Sequence, residues 1–518
     1  MSMIKVKNLT FSYPSNCDNI FENVNFQIDT DWKLGFVGRN GRGKTTFLNL
    51  LLGKYEYKGT ILSSVQFGYF PYPVADKSRL TKNILREVCP LAEEWELMRE
   101  LSYLEVNTDV LCRPFDTLSN GEQTKILLAA LFLNEGHFML IDEPTNHLDT
   151  KAREMVSGYL KKKKGFILVS HDRHFMDGCV DHILSLNRVN IEVQSGNFSS
   201  WMTNFQQQQE FELAKNERLQ KDIKRLQHSA RRSAVWSDRV EASKIGAADK
   251  GYVGHKAAKM MKRSKSIEAR QQQAIEQKSG LLKNIETAES LKISPLWYYT
   301  DMLASFSDVE VCYDGNTICG PVSFAIRRGD RVVLDGRNGS GKSSLLKLLI
   351  PTSNEPKSCL HDLGDCCEGQ QIEHTGTITI GHGLVISYVP QDILHLKGML
   401  SDFAEENHID ESLFKAILRK MDFERIQFEK DMRDFSGGQK KKVLIAKSLC
   451  EQAHLYIWDE PLNFIDVYSR MQIERLIKEF SPTMIFVEHD RIFRDAVATK
   501  IVQLCSGVAD CQCTHVYL

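Results

Sequence analysis

One glycine-rich string occurs twice in this chain of 518 residues, and the repeat limits the possible folds more than any other feature. The two copies are Gly38–Thr46 (GRNGRGKTT) and Gly336–Ser344 (GRNGSGKSS). Each follows a short apolar run and precedes a leucine-rich run, which is the strand, loop and helix order that a G-x-x-x-x-G-K-[ST] motif requires. A single string of this kind would also fit a chance glycine-rich turn. Two copies in this context predict two phosphate-binding loops in an α/β fold.

The residue types in both strings suit the binding of a nucleoside triphosphate. Glycines let backbone N–H groups approach phosphate oxygens, and the N-terminus of the following helix adds the positive end of its dipole. We expect Lys44 and Lys342 to reach the β- and γ-phosphates, and Thr45 and Ser343 to offer hydroxyls to Mg²⁺. The predicted ATP-binding residues of the first string are Gly38, Arg39, Asn40, Gly41, Arg42, Gly43, Lys44, Thr45 and Thr46. Those of the second string are Gly336, Arg337, Asn338, Gly339, Ser340, Gly341, Lys342, Ser343 and Ser344.

Length and composition indicate a globular protein of several domains. A chain of 518 residues fits three or four domains, at about 150 residues each. The apolar runs are far shorter than the roughly 18 uncharged residues of a membrane helix, and the N-terminus lacks the apolar core of a signal peptide. The 13 cysteines are scattered without C-x-x-C pairs, which favours reduced thiols over disulfides or a zinc site. We therefore expect a cytoplasmic protein without a membrane domain.

Further motifs follow the first string in order. Ser119 and Gly121 open an apolar helix whose N-terminus forms a second anion site. A buried strand then ends in Asp142, expected to hold Mg²⁺ through water, and Glu143, expected to polarise the attacking water. The next apolar run ends in His171; in this series we interpret it as a γ-phosphate contact, whereas a lone histidine would more often be structural.

The same motifs recur after the second string, and one tyrosine precedes each string. The second series consists of Gln391, Ser436, Gly438, Asp459, Glu460 and His489. Tyr13 and Tyr313 each end a strand-like run ahead of a phosphate loop. Stacking on adenine is the interpretation we favour for them, although a core or edge tyrosine would look the same in the sequence.

The order of phosphate loop, serine-glycine signature, carboxylate strand and histidine resembles that of an ATP-binding-cassette domain, in both halves. The resemblance implies that the signature of one half closes over ATP held by the other half. It also implies that Gln391 binds metal and that Glu143, Glu460, His171 and His489 are catalytic. Two departures occur in the first half. Its signature reads Ser-Asn-Gly-Glu instead of Ser-Gly-Gly-Gln, and Tyr72 stands where a metal-binding glutamine is expected.

The connector between the halves is predicted to be a helical hairpin. We place the first cassette at residues 1–198, the connector at residues 199–299 and the second cassette at residues 300–518. Apolar residues recur at helical spacing on both sides of a glycine-containing stretch, which predicts an antiparallel pair of helices. Each arm has about forty residues and would therefore reach roughly 60 Å, at 1.5 Å per residue. We interpret the stem as a coiled-coil spacer with a solvated surface.

The tip of this hairpin, about residues 231–263, has the composition of an RNA-binding element. Between Lys221 and Arg270 there are fourteen Lys or Arg residues and five acidic residues. Such local positive charge favours a nucleic acid or another anionic surface. Aromatic and basic side chains occur together there, as RNA contacts require. The candidate contacts are Trp236, Arg239, Lys244, Tyr252, His255, Lys256, Met260, Lys262 and Arg263.

Two cassettes on one chain with a charged helical linker resemble the ABC-F family, whose members act on ribosomes. The strings Gly38–Thr46, Val235–Glu241 and Gly251–Arg263 are similar to the antibiotic-resistance branch of the Vga and Lsa type. The resemblance implies an ATPase that uses ATP and Mg²⁺ and protects the bacterial ribosome from lincosamides, pleuromutilins and streptogramin A. It further implies insertion of the linker from the tRNA exit side, with large-subunit RNA and tRNA as partners, by a monomer whose cassettes pair intramolecularly.

Two other functions fit the same motifs. One is a housekeeping translation factor of the same fold, although the short span from Tyr72 to Asp116 leaves little room for the extra arm of those factors. The other is the motor of a drug exporter, which would require a separate membrane partner. The stretch 351–376 is interpreted as a surface insertion.

Overall fold

The computed structural model describes most of the chain. The described residues are 2–13, 19–134, 136–146, 148–187, 190–242, 262, 266, 269–270, 290–313, 315–350, 372–504 and 516–517. The chain divides into two compact units, one formed by Met1–Ser199 with Ala288–Leu518 and the other by Ser200–Thr287. We call residues 1–198 the first repeat and residues 300–518 the second repeat.

The first repeat consists of two sheets flanked by helices. Its strands are β1 (Met3–Phe11), β2 (Phe21–Asp29), β3 (Lys33–Val37), β4 (Lys58–Leu62), β5 (Gln66–Phe70), β6 (His137–Asp142), β7 (Phe166–Val169), β8 (His182–Leu186) and β9 (Ile191–Ser195). Its helices are α1 (Lys44–Leu51), α2 (Thr81–Val88), α3 (Glu94–Tyr103), α4 (Asn120–Leu131), α5 (Thr150–Lys162) and α6 (Arg173–Cys179), with 3₁₀ turns at Thr108–Cys112 and Phe115–Thr117. Strand β1 lies between β2 and β4, and the larger sheet has the order β5-β6-β7-β3-β8-β9.

The larger sheet brings the predicted motifs to one edge. Strands β6, β7 and β3 are adjacent and parallel, so that their carboxyl ends meet. These strands are apolar because helices and neighbouring strands cover both faces of the sheet. Phe36 and Phe47 pack in the core with ring centroids 5.5 Å apart. As a result, Gly38, Glu143 and His171 follow three neighbouring strand ends.

A long helix, α7 (Phe198–Ala242), follows the first repeat. Its 45 residues correspond to roughly 68 Å at 1.5 Å per residue. The first arm of the hairpin is therefore helical as predicted. Residues 243–261 and 271–289, with the glycine-containing turn and most of the return arm, lie outside the described residues. Within the described ranges, no helix is both long and apolar enough to cross a membrane.

The second repeat has the same architecture as the first. Its strands are β10 (Met302–Tyr313), β11 (Asn316–Arg327), β12 (Arg331–Asp335), β13 (Glu373–Ile380), β14 (Ile386–Val389), β15 (Leu455–Asp459), β16 (Met484–Val487), β17 (Lys500–Gln503) and β18 (Val516–Tyr517). Its helices are α8 (Lys342–Leu348), α9 (Leu400–Glu406), α10 (Glu411–Lys420), α11 (Gly437–Cys450), α12 (Val467–Phe480) and α13 (Arg491–Val497), with 3₁₀ turns at Arg425–Glu429 and Met432–Asp434. The sheet orders β11-β10-β13 and β14-β15-β16-β12-β17-β18 match those of the first repeat strand for strand. The prediction of two tandem α/β domains is confirmed.

One boundary in the second repeat differs from the prediction. The stretch 351–376 was interpreted as a surface insertion, but residues 373–376 begin β13, which pairs antiparallel with β10. Glu373 lies opposite Cys312 in this pairing. The strand forms because pairing satisfies the backbone hydrogen-bonding groups of both segments. Residues 351–371 lie outside the described residues.

Candidate ATP sites between the two repeats

The first glycine-rich string forms a loop that closes around the amine of Lys44. This lysine is 8% exposed, and its Nζ donates to the carbonyl of Gly38 at 2.6 Å. Burial lowers the pKa of Lys44. Gly43 precedes α1 with φ 98°, and a Cβ there would lie 2.6 Å from Ile20 Cγ2. Only glycine fits this position, since the backbone is left-handed and the space is filled.

The second string forms a matching loop. Lys342 Nζ donates to the carbonyls of Gly336 and Arg337, both at 2.8 Å. Gly341 caps α8 with φ 83°. Burial lowers the pKa of Lys342 as well. Both predicted loops therefore have the backbone shape and the buried lysine of a phosphate cradle.

A hydroxyl and a carboxylate meet beside each loop. Thr45 Oγ1 donates to Asp142 Oδ2 at 2.9 Å, and Ser343 Oγ donates to Asp459 Oδ1 at 3.1 Å. Burial raises the pKa of both aspartates, that of Asp459 to about 6. Paired hydroxyl and carboxylate oxygens are ligands that Mg²⁺ accepts, so the residues present fit this ion.

The first loop is contacted by residues of the second repeat. Asn40 Nδ2 donates to the carbonyl of Phe464 at 2.6 Å. A Cβ on Gly438, in the second signature, would lie 2.4 Å from that carbonyl oxygen and 2.6 Å from Asn40 Nδ2. Arg39 forms an ion pair with Asp422 of the second repeat. The first phosphate loop thus lies directly against the second signature.

The two repeats match a known family model at the positions where these motifs lie. The model is described as ABC transporter, and it matches residues 21–146 and 319–463. These ranges include both phosphate loops and both carboxylate pairs. The chain belongs to the ABC transporter family. As an ABC protein it is an ATPase, and its two repeats are ATP-binding cassettes, as the motif order predicted.

Relatives of similar length match this protein along nearly the whole chain. "Ribosome protection protein VmlR" of Bacillus subtilis (strain 168) is 26% identical over 96% of this chain and 86% of its own length. "Energy-dependent translational throttle protein EttA" of Haemophilus influenzae is 24% identical, over 93% of this chain and 89% of its own length. A solved structure of archaeal ribosome recycling factor aABCE1 with the ribosomal stalk protein aP1 superposes with a TM-score of 0.60 at 18% identity, covering 96% of this chain and 87% of that one. This likeness supports the fold.

The glutamates that follow the two carboxylate strands, Glu143 and Glu460, have different surroundings in this ABC protein. Glu460 Oε2 accepts hydrogen bonds from Gln391 Nε2 at 2.9 Å and from Asn463 Nδ2 at 2.6 Å. Burial would raise its pKa, but His489 and the charges of Lys342 and Lys441 outweigh burial and lower the pKa of Glu460 to about 2. This carboxylate is held ionised and fixed in orientation.

Among the described residues, no side-chain amide donates to Glu143. Its Oε1 is buried and lies 3.3 Å from His171 Nε2. Burial, together with the neighbouring charge of Asp142, raises the pKa of Glu143 to about 8. Tyr72, which stands where Gln391 stands in the second cassette, lines a cavity of about 510 Å³ beside Thr45 and Asp142. Because Tyr72 replaces the glutamine, Glu143 does not receive the hydrogen bond that Gln391 donates to Glu460.

Each histidine lies against the glutamate of its own cassette. His489 Nε2 is 3.5 Å from Glu460 Oε1, which repeats the contact between His171 and Glu143. Burial lowers the pKa of His171 well below its usual value, and the nearby charges of Lys44 and Arg470 act in the same direction. His171 is accordingly neutral.

The two signatures differ at their fourth residue. Ser436 and Gln439 form a reciprocal cap at the start of α11, where Ser436 N donates to Gln439 Oε1 at 2.9 Å. In the first signature Glu122 replaces the glutamine, and its carboxylate accepts from both Ser119 N and Ser119 Oγ, at 2.9 and 2.8 Å. The hydroxyl of Ser119 thus donates to a neighbouring carboxylate.

The remaining predicted residues fall into two groups. Tyr13 OH lies 2.9 Å from Thr46 Oγ1 and Tyr313 OH lies 2.8 Å from Ser344 Oγ, so that both tyrosines border a phosphate loop; adenine stacking stays a prediction.

At the linker tip, Lys262 is an exposed helical residue. Trp236 and Arg239 belong to α7, but their side chains are not among the described ones. Outside the described residues lie Lys244, Tyr252, His255, Lys256, Met260 and Arg263.

Sequence reasoning missed two buried residues of the second site. Lys441 Nζ donates to the carbonyls of Pro390 at 2.9 Å and Asp459 at 3.4 Å. Glu488 is 2% exposed and accepts from the backbone N–H groups of Leu462 at 3.1 Å and His489 at 2.8 Å. Comparing the repeats would have revealed both, because Thr124 and Ser170 stand at the equivalent positions of the first cassette.

Proposed function

We propose that this protein is an ABC-F ATPase that binds the bacterial ribosome and protects it from antibiotics of the peptidyl transferase centre. The drug classes are lincosamides, pleuromutilins and streptogramin A. The observation that carries the proposal is the likeness, along 96% of the chain, to a protein named for ribosome protection. The likeness to EttA, whose name states a role in translation, also supports the ribosome as the partner.

Both ATP sites are proposed to work as composite sites. Lys44 and Lys342 bind the terminal phosphates, and the loop residues around them surround the rest of the triphosphate. Thr45 and Asp142 in one site, and Ser343, Asp459 and Gln391 in the other, hold Mg²⁺. When bound there, Mg²⁺ would neutralise charge on the phosphate oxygens. Ser119 with Gly121 and Ser436 with Gly438 close over the opposite cassette's nucleotide.

The glutamates and histidines are assigned to the hydrolytic step. Glu143 and Glu460 orient the attacking water and accept its proton, as a general base must. His171 and His489 lie beside them, where each can contact the γ-phosphate. The contact between Asn40 and Phe464 supports pairing of the two cassettes within one chain, so the active form is proposed to be a monomer.

The linker is proposed to carry the effect of ATP to the ribosome. It occupies residues 199–299 in this proposal, and its tip contacts large-subunit RNA and tRNA from the tRNA exit side. The length of α7 supports this role, because roughly 68 Å is enough to reach far from a surface-bound ATPase. The protein would accordingly work in the cytoplasm.

Co-sedimentation with ribosomes tests the proposal. The Glu143→Gln/Glu460→Gln variant with ATP should pellet with 70S ribosomes, and the parent with ADP should stay in the supernatant. A Lys44→Ala/Lys342→Ala variant is the matched control, since it removes phosphate binding while leaving the linker unchanged. Absence of ATP-dependent pelleting would contradict the proposal and favour the exporter motor.

A further inference from the structure

Two exposed aromatic residues lie two positions apart in the segment just before the second cassette. Trp297 is 76% exposed and Tyr299 is 74% exposed, whereas Tyr298 between them is 3% exposed. Tyr299 packs against the ring of Tyr298, with centroids 4.6 Å apart, while most of its surface faces solvent. We call Trp297, Tyr299 and Arg328 the stacking platform.

Backbone and side-chain bonds on the inner face hold this segment in place. Leu296 N donates to the carbonyl of Ala453 at 2.8 Å, and Tyr298 OH donates to the carbonyl of His382 at 2.9 Å. The loop that carries Arg328 is attached in turn, because Arg328 N donates to the carbonyl of Asp301 at 2.8 Å. The outward rings are therefore presented by a fixed backbone, which lowers the entropy that a ligand must remove.

Arg328 adds a positive charge to the platform. Its guanidinium carbon lies 3.7 Å from the centre of the Trp297 ring. Among the described residues no carboxylate pairs with this guanidinium, whose Nη1 donates to the carbonyl of Tyr298 at 3.3 Å. A planar cation stacked on an indole with its charge uncompensated suits an anionic ligand that also offers a flat ring.

A second exposed tryptophan shows what distinguishes this surface. Trp95 is 56% exposed and also has an arginine, Arg99, 5.2 Å from its ring centre. There, however, Arg99 pairs with Glu100 at 3.5 Å and Trp95 Nε1 donates to Glu93 at 2.5 Å. Acidic groups neutralise that pair, whereas the described surroundings of Trp297 contain no such partner for Arg328.

We propose that the stacking platform binds an unpaired RNA base, with the base against Trp297 and Tyr299 and an adjacent phosphate on Arg328. Unstacked bases bind to aromatic side chains and arginine planes in this way, largely without regard to base identity. Binding of an unpaired base does not depend on the proposed function. Only the identification of ribosomal RNA as the source of that base rests on it. The platform gives the second cassette an RNA contact separate from the linker tip.

Binding of a labelled, unstructured oligouridine to the full-length chain tests the platform directly. Trp297→Ala should weaken binding roughly tenfold, within the range measured for loss of a base-aromatic stack, and Trp297→Phe should restore most of it. Arg328→Gln should lower the slope of log affinity against log salt by about 0.7, the value for one phosphate contact on a single strand. Trp95→Ala is the matched control and should leave affinity within twofold of the parent.

The outcomes separate this inference from the proposed function. Equal losses for Trp297→Ala and Trp95→Ala, or no loss for either, would overturn it. So would a loss of ribosome binding by Trp297→Ala with unchanged oligouridine binding, because the partner would then be a ribosomal protein. A selective loss of oligouridine binding supports the platform even if the protein rescues no drug-inhibited ribosome.

Discussion

At the scale of single residues, the two cassettes place equivalent glutamates in unequal surroundings. Glu460 accepts from two amides, whereas Glu143 lies 3.3 Å from His171 and accepts no amide hydrogen bond from the described residues. The backbones are alike, with φ 50° at Glu143 and φ 46° at Glu460. Two neighbouring positions contribute to the difference, with Tyr72 in place of Gln391 and Thr124 in place of Lys441.

Replacing both glutamates by glutamine should abolish hydrolysis. Glu143→Gln/Glu460→Gln keeps the shape of each side chain but removes the group that accepts a proton from water. A positioned general base contributes roughly 100-fold to 10,000-fold, so steady-state ATP turnover should fall by at least about 100-fold. Turnover near that of the parent would show that these residues were wrongly assigned.

Exchanging Tyr72 and Gln391 should exchange the behaviour of the two sites. In a Glu460→Gln background only the Glu143 site should turn over. Tyr72→Gln should raise its rate about tenfold, because an amide donor favours the ionised form of Glu143, whose pKa is raised to about 8, and a hydrogen bond to a charged group is worth about 1.5 kcal/mol or more. The reciprocal control is Gln391→Tyr in a Glu143→Gln background, where the rate should fall. Single-site ATPase assays measure both, and unchanged rates in both backgrounds would contradict the role given to the amide.

At the scale of structural elements, the loop Pro461–Asp466 connects the two ATP sites. Glu488 accepts from Leu462 N at one end of this loop, and Phe464 accepts from Asn40 of the other cassette. In the first cassette the equivalent pair is uncharged, with Thr145 Oγ1 and Ser170 Oγ 3.2 Å apart. We infer that Glu488 positions this loop.

Glu488→Ser should destabilise the loop and reduce turnover at the distant Glu143 site. It leaves the buried N–H of Leu462 without its acceptor, which costs about 1–3 kcal/mol. Adding Leu462→Thr restores the hydroxyl pair of the first cassette and should recover much of the loss. Tm and ATPase activity in the Glu460→Gln background are the measurements. A fall in Tm with unaltered turnover would leave Glu488 a purely structural role.

The linker tip is an element whose charge is testable without its structure. If its basic residues contact phosphates, Lys256→Gln/Lys262→Gln/Arg263→Gln should weaken ribosome binding and flatten the dependence of log affinity on log salt by somewhat under one unit per lost contact. Lys7→Gln/Lys58→Gln/Lys161→Gln, on the surface of the first cassette, is the matched control. An identical salt dependence for both triple variants would mean that the tip charges only solvate the linker.

Sequence alone predicted what depends on short-range pattern. The phosphate loops, the strands ending in Asp142 and Asp459, and the helices that follow them are set by local apolar runs and by glycines that need a left-handed backbone. The contact of Asn40 with Phe464 and the burial of Lys441 and Glu488 depend on packing between segments that are distant in the sequence. A local sequence pattern therefore does not predict them. Trp297 was likewise overlooked, since an exposed and a buried aromatic residue look alike in a sequence.

At the scale of the whole molecule, one chain carries both ATP-binding cassettes and the long helix α7. Binding of ATP between the cassettes and insertion of the linker would therefore be coupled within one molecule. Protection then depends on the shape and position of the tip, whereas hydrolysis depends on the cassettes. The two properties should be separable by mutation.

Variants of the tip should lose protection while keeping ATPase activity. Trp236→Ala removes a large ring, and deletion of residues 243–250 shortens the predicted hairpin. Both should retain ATP turnover within about twofold of the parent, because neither changes a predicted residue of the ATP sites. Both should lose resistance in cells challenged with a lincosamide. Full resistance in both variants would show that the tip is not the element that acts on the drug site.

Cell-free translation on purified ribosomes stalled by a lincosamide or a pleuromutilin tests the central claim most directly, because no membrane is present for an exporter to use. The account predicts that the purified parent with ATP restores protein synthesis and that the Trp236→Ala and 243–250 deletion variants do not. Failure of the parent to restore synthesis against any drug of the peptidyl transferase centre would contradict ribosome protection.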